Sequence, residues 1–270
     1  GLIMSEFRIE EDTLGEVKIP KTALWGPQTE RSRNNFPTGR FMPIEIIRAL
    51  LQIKKAAAQS NMELNQISEA KGKLIVESID TLLALSDEDL RKDFPLKVYQ
   101  TGSGTQTNMN CNEVVAHQAA KLNPELEILP NDDVNKGQSS NDIFPTAMNI
   151  VAADAVAKLE ESAQHLIDEL KKKQEKYWRV VKIGRTHLQD ATPLTFGQEV
   201  SGWVSALEHD LEYLKQLDGT LLELAMGGTA VGTGLNAAPG FADVIAEKVG
   251  KVYGHEFTAK SNKSVSYTHL

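Results

Sequence analysis

The sequence predicts a mainly α-helical protein, in which a small mixed N-terminal domain precedes a domain of long helices. Apolar residues recur at helical spacing along most of the chain, and the longest such stretch runs from Asp142 to Trp178. The first forty residues differ, because they alternate polar and apolar residues between several prolines and glycines. These observations place a little extended structure at the N-terminus and helices after it.

The N-terminal part is predicted to combine a hairpin with shorter helices. Residues 7–10 and 16–19 each alternate polar and apolar side chains, which is typical of a short hairpin or two extended pieces. An amphipathic helix is predicted from Pro43 to about Asn65. Ser68 suits the N-cap of a second helix, because the acidic Glu69 follows it in the positive first turn.

Two later stretches carry continuous apolar seams. Residues 142–178 and 196–226 both place apolar side chains four and three positions apart. A seam of this length needs another helix along it, so the sequence predicts a helical bundle and an oligomer, with a monomeric bundle as the alternative. The seam residues are Ala152, Val156, Leu159, Ala163, Leu166 and Leu170 in the first stretch, and Val200, Val204, Leu207, Leu211, Leu214 and Leu221 in the second.

The composition argues against several classes of function. Lys and Arg number 29 and Asp and Glu number 37, so the net charge is −8, which is poorly suited to binding nucleic acid or an anionic membrane. The single cysteine, Cys111, cannot form an internal disulfide and is expected to be a buried small side chain.

The sequence has no apolar run of about 18 residues and no secretory signal, so we expect no membrane partner and a cytoplasmic location. The histidines lack metal-ligand spacing, which predicts no metal site.

Two polar segments that precede predicted helices are candidate ligand sites. Residues 101–110 place glycines and hydroxyls before a helix predicted over 112–122, and residues 130–142 end with polar donors directly before the long helix. Unpaired N–H groups at a helix start favour an anion. A capped loop–helix junction is the alternative for either segment, with Ser140 or Asn141 as the N-cap of the long helix.

A third polar segment, residues 182–193, places His187 beside a hydroxyl and away from any predicted helix. Histidine titrates near neutrality and is the usual general acid or base, although a histidine held by a loop hydrogen bond is the alternative. The glycine-rich run 226–236 lacks the preceding strand of a dinucleotide-binding motif, so a tight helix–loop crossing is predicted there.

Taken together, the three polar segments resemble the fumarase/aspartase superfamily, and within it the class II fumarate hydratases most closely. The matching runs are QTGSGTQTNMNCNEV at 100–114, PNDDVNKGQSSND at 130–142 and GRTHLQDATP at 184–193, in the order and spacing of the family. His187, Ser103 and Gln106 favour fumarase over aspartase. The resemblance implies an almost all-α fold and reversible hydration of fumarate to (S)-malate, a step of the tricarboxylic acid cycle, without a metal or organic cofactor.

The resemblance also implies an assembly and a set of functional residues. It implies a homotetramer whose active sites each draw on three subunits. A polar loop enters the long helix near residues 136–142, so we predict an N-terminal lyase domain over 4–138, a partial central helical bundle over 139–263 and a non-family tail over 264–270. His187 corresponds to the catalytic histidine that handles the proton of the water. Arg185 and Lys136 are further candidates for positive charge near the substrate. The residues expected to bind substrate or adjoin it are Ser103, Gly104, Thr105, Ser139, Ser140, Asn141 and Thr186.

Two departures from the family pattern carry expectations of their own. The segment Leu129, Pro130, Asn131 and Asp132 matches a second dicarboxylate site, but Leu129 stands where the family often has a histidine, so we expect that site to be weak or absent. The family's mobile loop with the catalytic base serine has no match in the sequence. We therefore expect a fragment with negligible turnover and poor assembly by itself. A sister lyase such as aspartase and a non-catalytic protein that keeps the lyase fold are the alternatives.

Overall fold

The computed structural model describes residues 6–226 and 237–260 of the chain. Helices dominate these residues, as the sequence predicts. The chain divides into two compact units, one comprising residues up to Val151 and from Leu222 onward, and the other comprising Ala152–Leu221. The glycine-rich run over 227–236 and the tail over 264–270, for which the sequence carries predictions, lie outside the described residues.

The first unit contains most of the elements. They are β1 (Phe7–Asp12), β2 (Gly15–Pro20), α1 (Pro27–Asn35), α2 (Ile44–Glu63), α3 (Glu69–Leu83), α4 (Asp87–Arg91), α5 (Thr105–Leu122), a π-helical turn (Pro130–Val134), the start of α6 (Ser140–Lys176), β5 (Glu223–Leu224), α9 (Phe241–Tyr253) and β6 (Thr258–Ala259). The second unit contains the rest of α6 together with β3 (Val181–Thr186), β4 (Gln189–Thr195), α7 (Phe196–Gln216) and α8 (Asp218–Leu221).

The local predictions for the N-terminal part are confirmed. Strands β1 and β2 form an antiparallel hairpin in which Phe7 pairs with Pro20 and Asp12 with Gly15. Helix α2 ends at Glu63, close to the predicted Asn65. Ser68 caps α3, because its hydroxyl accepts a hydrogen bond from the Lys71 N–H at 3.2 Å.

The core of the first unit is built around α2. Helix α2 packs against α3, α5 and α9, so the chain returns to this unit after Leu222. An ion pair of 2.9 Å between Lys248 and Glu63 also joins α9 to α2. The boundaries of the two compact units therefore differ from the predicted domain boundary between residues 138 and 139. That domain boundary stays a prediction. The fully buried side chains of α2 include Ile47, Leu50, Leu51 and Ile53.

Helix α1 is capped by a side chain from a distant part of the sequence. Its N-cap residue, Gly26, has no side chain, and the buried Glu113 carboxylate of α5 replaces the missing cap. This carboxylate accepts hydrogen bonds from the N–H groups of Gln28 at 3.1 Å and Thr29 at 2.9 Å, and from the Thr29 hydroxyl. A Cβ at Gly26 would lie 2.1 Å from a Glu113 oxygen, so a larger residue there would displace the capping carboxylate.

A second interaction ties the N-terminal hairpin to α5. His117 Nδ1 lies 2.7 Å from the Glu113 carbonyl oxygen, and its Nε2 lies 2.9 Å from a Glu10 carboxylate oxygen. Both ring nitrogens face oxygen acceptors, so a doubly protonated, positively charged imidazole satisfies both contacts. Burial alone would lower the pKa of His117, but the hydrogen bonds to Glu10 and to the Glu113 carbonyl raise it above the ordinary value.

The second unit has a small apolar core and an exposed seam. The first predicted seam is only partly covered within this unit, because Leu159 is 52% and Leu166 47% exposed. Helix α7 begins with a capping box formed by Thr195 and Gln198 and ends at Gln216, ten residues before the predicted end at Met226. Asp218 begins the short helix α8 instead. The buried core residues are Ile167, Val200, Val204 and Leu211.

None of the described helices combines the length and the apolar character that a bilayer crossing needs.

The contact between His117 and Glu10 predicts a pH-dependent stability. A histidine whose pKa is raised by folding stabilises fully below its unfolded value of 6.5, and this contribution disappears as the pH rises through the higher folded value. Burial raises the pKa of Glu10, but its interactions with His117 and Arg8 prevail and lower it below 4.5, so the carboxylate contribution disappears only in acid. Between the lowered pKa of Glu10 and pH 6.5, we expect His117→Gln to lower the free energy of unfolding by about 1 kcal/mol. At alkaline pH we expect a smaller effect.

Urea unfolding at a series of pH values, followed for the wild type and His117→Gln, measures this difference. His165→Gln is the matched control, because His165 is an exposed helical histidine. A difference between His117→Gln and the wild type that grows as the pH rises above 6.5 would contradict the assigned charge of His117.

Candidate functional site

The first polar segment forms the N-terminus of α5. This helix begins at Thr105, seven residues before the predicted Asn112, so residues 105–110 of the predicted loop are helical. The Gln100 side chain caps the helix, because its oxygen accepts from the Thr107 N–H at 3.0 Å and from the Thr107 hydroxyl at 2.9 Å. Within the described part of the chain, no hydrogen-bond acceptor is assigned to the N–H groups of Thr105 and Gln106. These two N–H groups are therefore available to an anion.

Gly104 fixes where this helix begins. Its φ of 69° lies in the left-handed region, which side chains rarely adopt. A Cβ at Gly104 would also lie 2.3 Å from the Phe144 ring of α6. The backbone of the first polar segment therefore lies very close to the start of α6. Any residue with a Cβ at position 104 would prevent this approach.

The second polar segment forms the N-terminus of α6, and its cap differs from the prediction. The helix begins at Ser140, so neither Ser140 nor Asn141 is the N-cap, and Ser139 takes that place. The Ser139 hydroxyl accepts from the Asn141 N–H at 3.3 Å, and the Ser139 N–H donates to the Asp142 carboxylate at 2.9 Å. The sequence contains three adjacent candidates for the cap, and only the backbone path decides among them.

A chain of hydroxyls connects the two helix starts. Ser103 Oγ lies 3.0 Å from Thr105 Oγ1, which lies 2.9 Å from Ser140 Oγ. Three of the residues predicted to bind substrate are thus in direct contact, although 35 positions separate Thr105 from Ser140. The N-termini of two long helices and three neutral hydroxyls point to a site that prefers negative charge.

The third polar segment belongs to the second unit and forms a hairpin. Strands β3 and β4 are antiparallel, and Thr186 pairs with Gln189, so His187 and Leu188 make a two-residue turn. A bulge lies at Gly184, where a Cβ would come within 2.5 Å of the Thr192 carbonyl oxygen. The segment is away from any helix, as predicted, but it is regular strand structure.

Both residues of this turn have left-handed backbone conformations. His187 has a φ of 51° and Leu188 a φ of 64°, and Leu188 is 99% exposed. Such tight turns normally use Asn or Gly, because a left-handed conformation costs other residues about 1–2 kcal/mol each. An exposed histidine and leucine in this conformation have no local structural reason, which is typical of a functional position.

The remaining predicted residues have ordinary surroundings. Arg185 Nε lies 3.3 Å from Asp190, and Lys136 is exposed. Leu129 is 38% exposed, and its N–H donates to the Asp133 carboxylate at 2.8 Å, which closes the π-helical turn. The segment Leu129, Pro130, Asn131 and Asp132 thus belongs to a π-helical turn that is largely at the surface.

The described residues contain no group of three or more His, Cys, Asp or Glu side chains that could hold a metal ion. Cys111 is fully buried, and burial raises the pKa of its thiol to about 12.

Sequence reasoning missed several residues that position the site. Gln100 and Phe144 contact the first polar segment, but a lone glutamine and a core phenylalanine carry no sequence signal for these contacts. Lys54 did carry a signal, because it lies on the apolar face of α2 among aliphatic residues. It is fully buried beneath the second polar segment.

Comparison with known proteins identifies the family of this chain. A family model described as a lyase matches residues 15–269. The chain belongs to this lyase family. Its similarity to curated relatives is high: class II fumarate hydratase of Listeria monocytogenes serotype 4b is 52% identical over 263 residues, covering 97% of this chain and 57% of the relative. The Staphylococcus haemolyticus class II fumarate hydratase is 49% identical over 262 residues, covering 95% and 56%.

The fold of this lyase chain matches solved structures as well. The crystal structure of class II fumarase from Schistosoma mansoni superimposes with a TM-score of 0.89 at 39% identity, covering 96% of this chain and 59% of that one. The mainly α-helical, fumarase-like fold predicted from the sequence is thereby confirmed. The chain spans less than three fifths of the length of these relatives.

Gly104 offers a test of how the two helix starts are joined. We expect Gly104→Ala to lower the free energy of unfolding by about 2 kcal/mol or more, because it adds both left-handed strain and a clash with Phe144. Urea unfolding measures the change. Gly102→Ala is the control, because a Cβ there meets no atom within 4 Å, and we expect a change of less than about 0.5 kcal/mol. Equal effects of the two substitutions would contradict this account.

The strained turn predicts an unusual stabilisation. We expect Leu188→Gly to raise the free energy of unfolding by about 0.5–1 kcal/mol, because glycine adopts the left-handed conformation without strain. Leu188→Ala removes the same exposed side chain and keeps the strain, so it should give no gain. Thermal unfolding of the three proteins distinguishes the outcomes, and a gain with alanine as large as that with glycine would refute the strain.

Proposed function

We propose that the chain carries the substrate-binding donors and the water-handling histidine of a fumarate hydratase. The reaction is the reversible hydration of fumarate to (S)-malate, without a metal or organic cofactor. The observation that carries this proposal is the hydroxyl chain of Ser103, Thr105 and Ser140 between the N-termini of α5 and α6. Membership of the lyase family and the similarity to fumarate hydratases support it.

The donor set suits the charge that develops during the reaction. Dehydration of malate removes a weakly acidic proton beside a carboxylate, which gives a doubly negative aci-carboxylate. Donors that are already oriented stabilise such a species without reorganising. Ser103, Thr105 and Ser140 supply hydroxyls, and the starts of α5 and α6 supply N–H groups and the positive ends of two helix dipoles. Gly104 and Ser139 hold these groups in place, and Asn141 adds a side-chain amide.

His187 is proposed to move the proton of the water. A neutral imidazole takes a proton from the attacking water during hydration, and the imidazolium returns it to the leaving hydroxide in the reverse direction. Its position in the two-residue turn leaves it exposed to solvent. Thr186, one residue earlier, adds a hydroxyl donor beside it.

The assembly proposed for the complete enzyme is a homotetramer with active sites shared between subunits. Exposed apolar side chains along α6, such as Leu159 and Leu166, support an association through the second unit. We further propose a cytoplasmic location, which the single buried Cys111 fits. The second dicarboxylate site is proposed to be weak or absent, because the Leu129 side chain can neither donate a hydrogen bond nor carry charge.

A chimera tests the proposed activity. In the chimera, the 263 aligned residues of the Listeria monocytogenes relative are replaced by those of this chain. Fumarate consumption is measured as the decrease in absorbance of its conjugated double bond. We expect the chimera to hydrate fumarate, and ammonium ions to produce no amination. His187→Asn should lower kcat by roughly 10²–10⁴-fold, because asparagine tolerates the left-handed turn but cannot transfer the proton.

The matched control for this chimera is His165→Asn, which changes an exposed helical histidine and should leave kcat unaltered. A folded chimera without hydratase activity would refute the proposed function. Full activity of His187→Asn would refute the proposed role of His187, and amination of fumarate would favour the sister-lyase alternative.

A further inference from the structure

A buried lysine lies beneath the second polar segment. Lys54 occupies the core face of α2 and is 0% exposed, beside the fully buried Leu50, Leu51 and Ile53. Burying an ammonium costs several kcal/mol unless polar groups surround it, and an aliphatic side chain would fill the same space without that cost. Packing of the core therefore does not explain a lysine at this position.

The ammonium is held by the loop that leads into α6. Lys54 Nζ donates to Gln138 Oε1 at 3.0 Å and to Asn135 Oδ1 at 3.2 Å. The buried Asn108 side chain of α5 donates to the same Asn135 oxygen at 3.2 Å. Because lysine can only donate, the oxygen of each amide must face Lys54 and its nitrogen must face away.

The two amide nitrogens in turn hold the loop backbone. Gln138 Nε2 donates to the carbonyl oxygens of Val134 at 3.0 Å and Lys136 at 3.2 Å. Asn135 Nδ2 donates to the Gln138 carbonyl oxygen at 3.2 Å. The lysine thus fixes the orientation of two side chains that together fold residues 134–138.

Ser139 and Ser140 follow this loop directly. The Gln138 carbonyl that accepts from Asn135 is one peptide bond from Ser139, the N-cap of α6, and Ser140 Oγ is the end of the hydroxyl chain. Displacement of the loop would therefore displace the proposed carboxylate donors. Burial lowers the pKa of Lys54 to about 8, while the Asp142 carboxylate acts in the opposite direction, so the Lys54 side chain is mostly protonated at neutral pH.

We propose that Lys54 is a positioning residue for the substrate-binding donors, which it orders through Asn135 and Gln138. This inference rests on the proposed function. Lys54 does not touch the substrate in this proposal, and it acts by fixing where Ser139 and Ser140 stand at the start of α6. A positive charge behind this helix start also adds to the potential that attracts a dicarboxylate.

Hydrogen exchange on the 270-residue chain tests the ordering of the loop. Lys54→Met keeps a long apolar stem but removes the ammonium, and we expect at least tenfold faster exchange of backbone amides within 134–142. Lys55→Met is the matched control, because Lys55 is the next residue of α2 and makes a surface ion pair with Asp80. Unchanged exchange within 134–142 in Lys54→Met would overturn the proposal.

Kinetics of the chimera test the consequence for the site. We expect Lys54→Met to raise KM for fumarate at least tenfold with a smaller change in kcat. Gln138→Leu should raise KM as well, and the double variant should be no worse than the more damaging single variant, because both break the same link. Multiplicative effects of the two substitutions on KM would overturn the proposal even if both proteins fold.

The two experiments separate failure of this inference from failure of the proposed function. An inactive chimera refutes the hydratase function, while the exchange of residues 134–142 still decides whether Lys54 orders the loop. An active chimera in which Lys54→Met leaves KM unchanged refutes the positioning role alone.

Discussion

The close packing of Gly104 against the Phe144 ring is the constraint on which the candidate site depends. It joins the first polar segment to the start of α6, and it leaves no room for a side chain at position 104. Thr105 Oγ1 reaches Ser140 Oγ because of this approach. Two helix starts that are distant in sequence thereby present their N–H groups and hydroxyls together, and this arrangement favours an anion in a chain of net charge −8.

Buried polar side chains fix the parts of the first unit that surround this site. Glu113 of α5 caps α1, and Lys54 of α2 holds the loop before α6. Each would be costly in an apolar core, but each has several hydrogen-bond partners from a distant segment. Such hydrogen bonds fix the relative position of two chain segments more precisely than apolar packing alone.

The sequence predicted the elements whose signals are local. The period of the apolar residues revealed α2, α3, α6 and the start of α7, and Ser68 marked an N-cap because its partner is three residues away. The hairpin over 181–195 was missed, because its polar residues lack alternation and its turn contains no Asn or Gly. The return of α9 to the first unit could not be predicted, since no local pattern records which distant helix it packs against. The resemblance supplied the candidate site residues, whereas the contact between Thr105 and Ser140 required the fold.

The proposed roles of the donors and of the histidine follow from the same physics. Ser103, Thr105 and Ser140 lie at helix starts fixed by buried contacts, as preorganised stabilisation of charge requires. A group that exchanges protons with water needs access to solvent, and the exposed turn of His187 provides it. The left-handed strain of that turn has no benefit for the hairpin itself, which supports the proposed functional role of His187. A rigid donor set and an exposed histidine in a strained turn are complementary parts of the proposed hydration reaction.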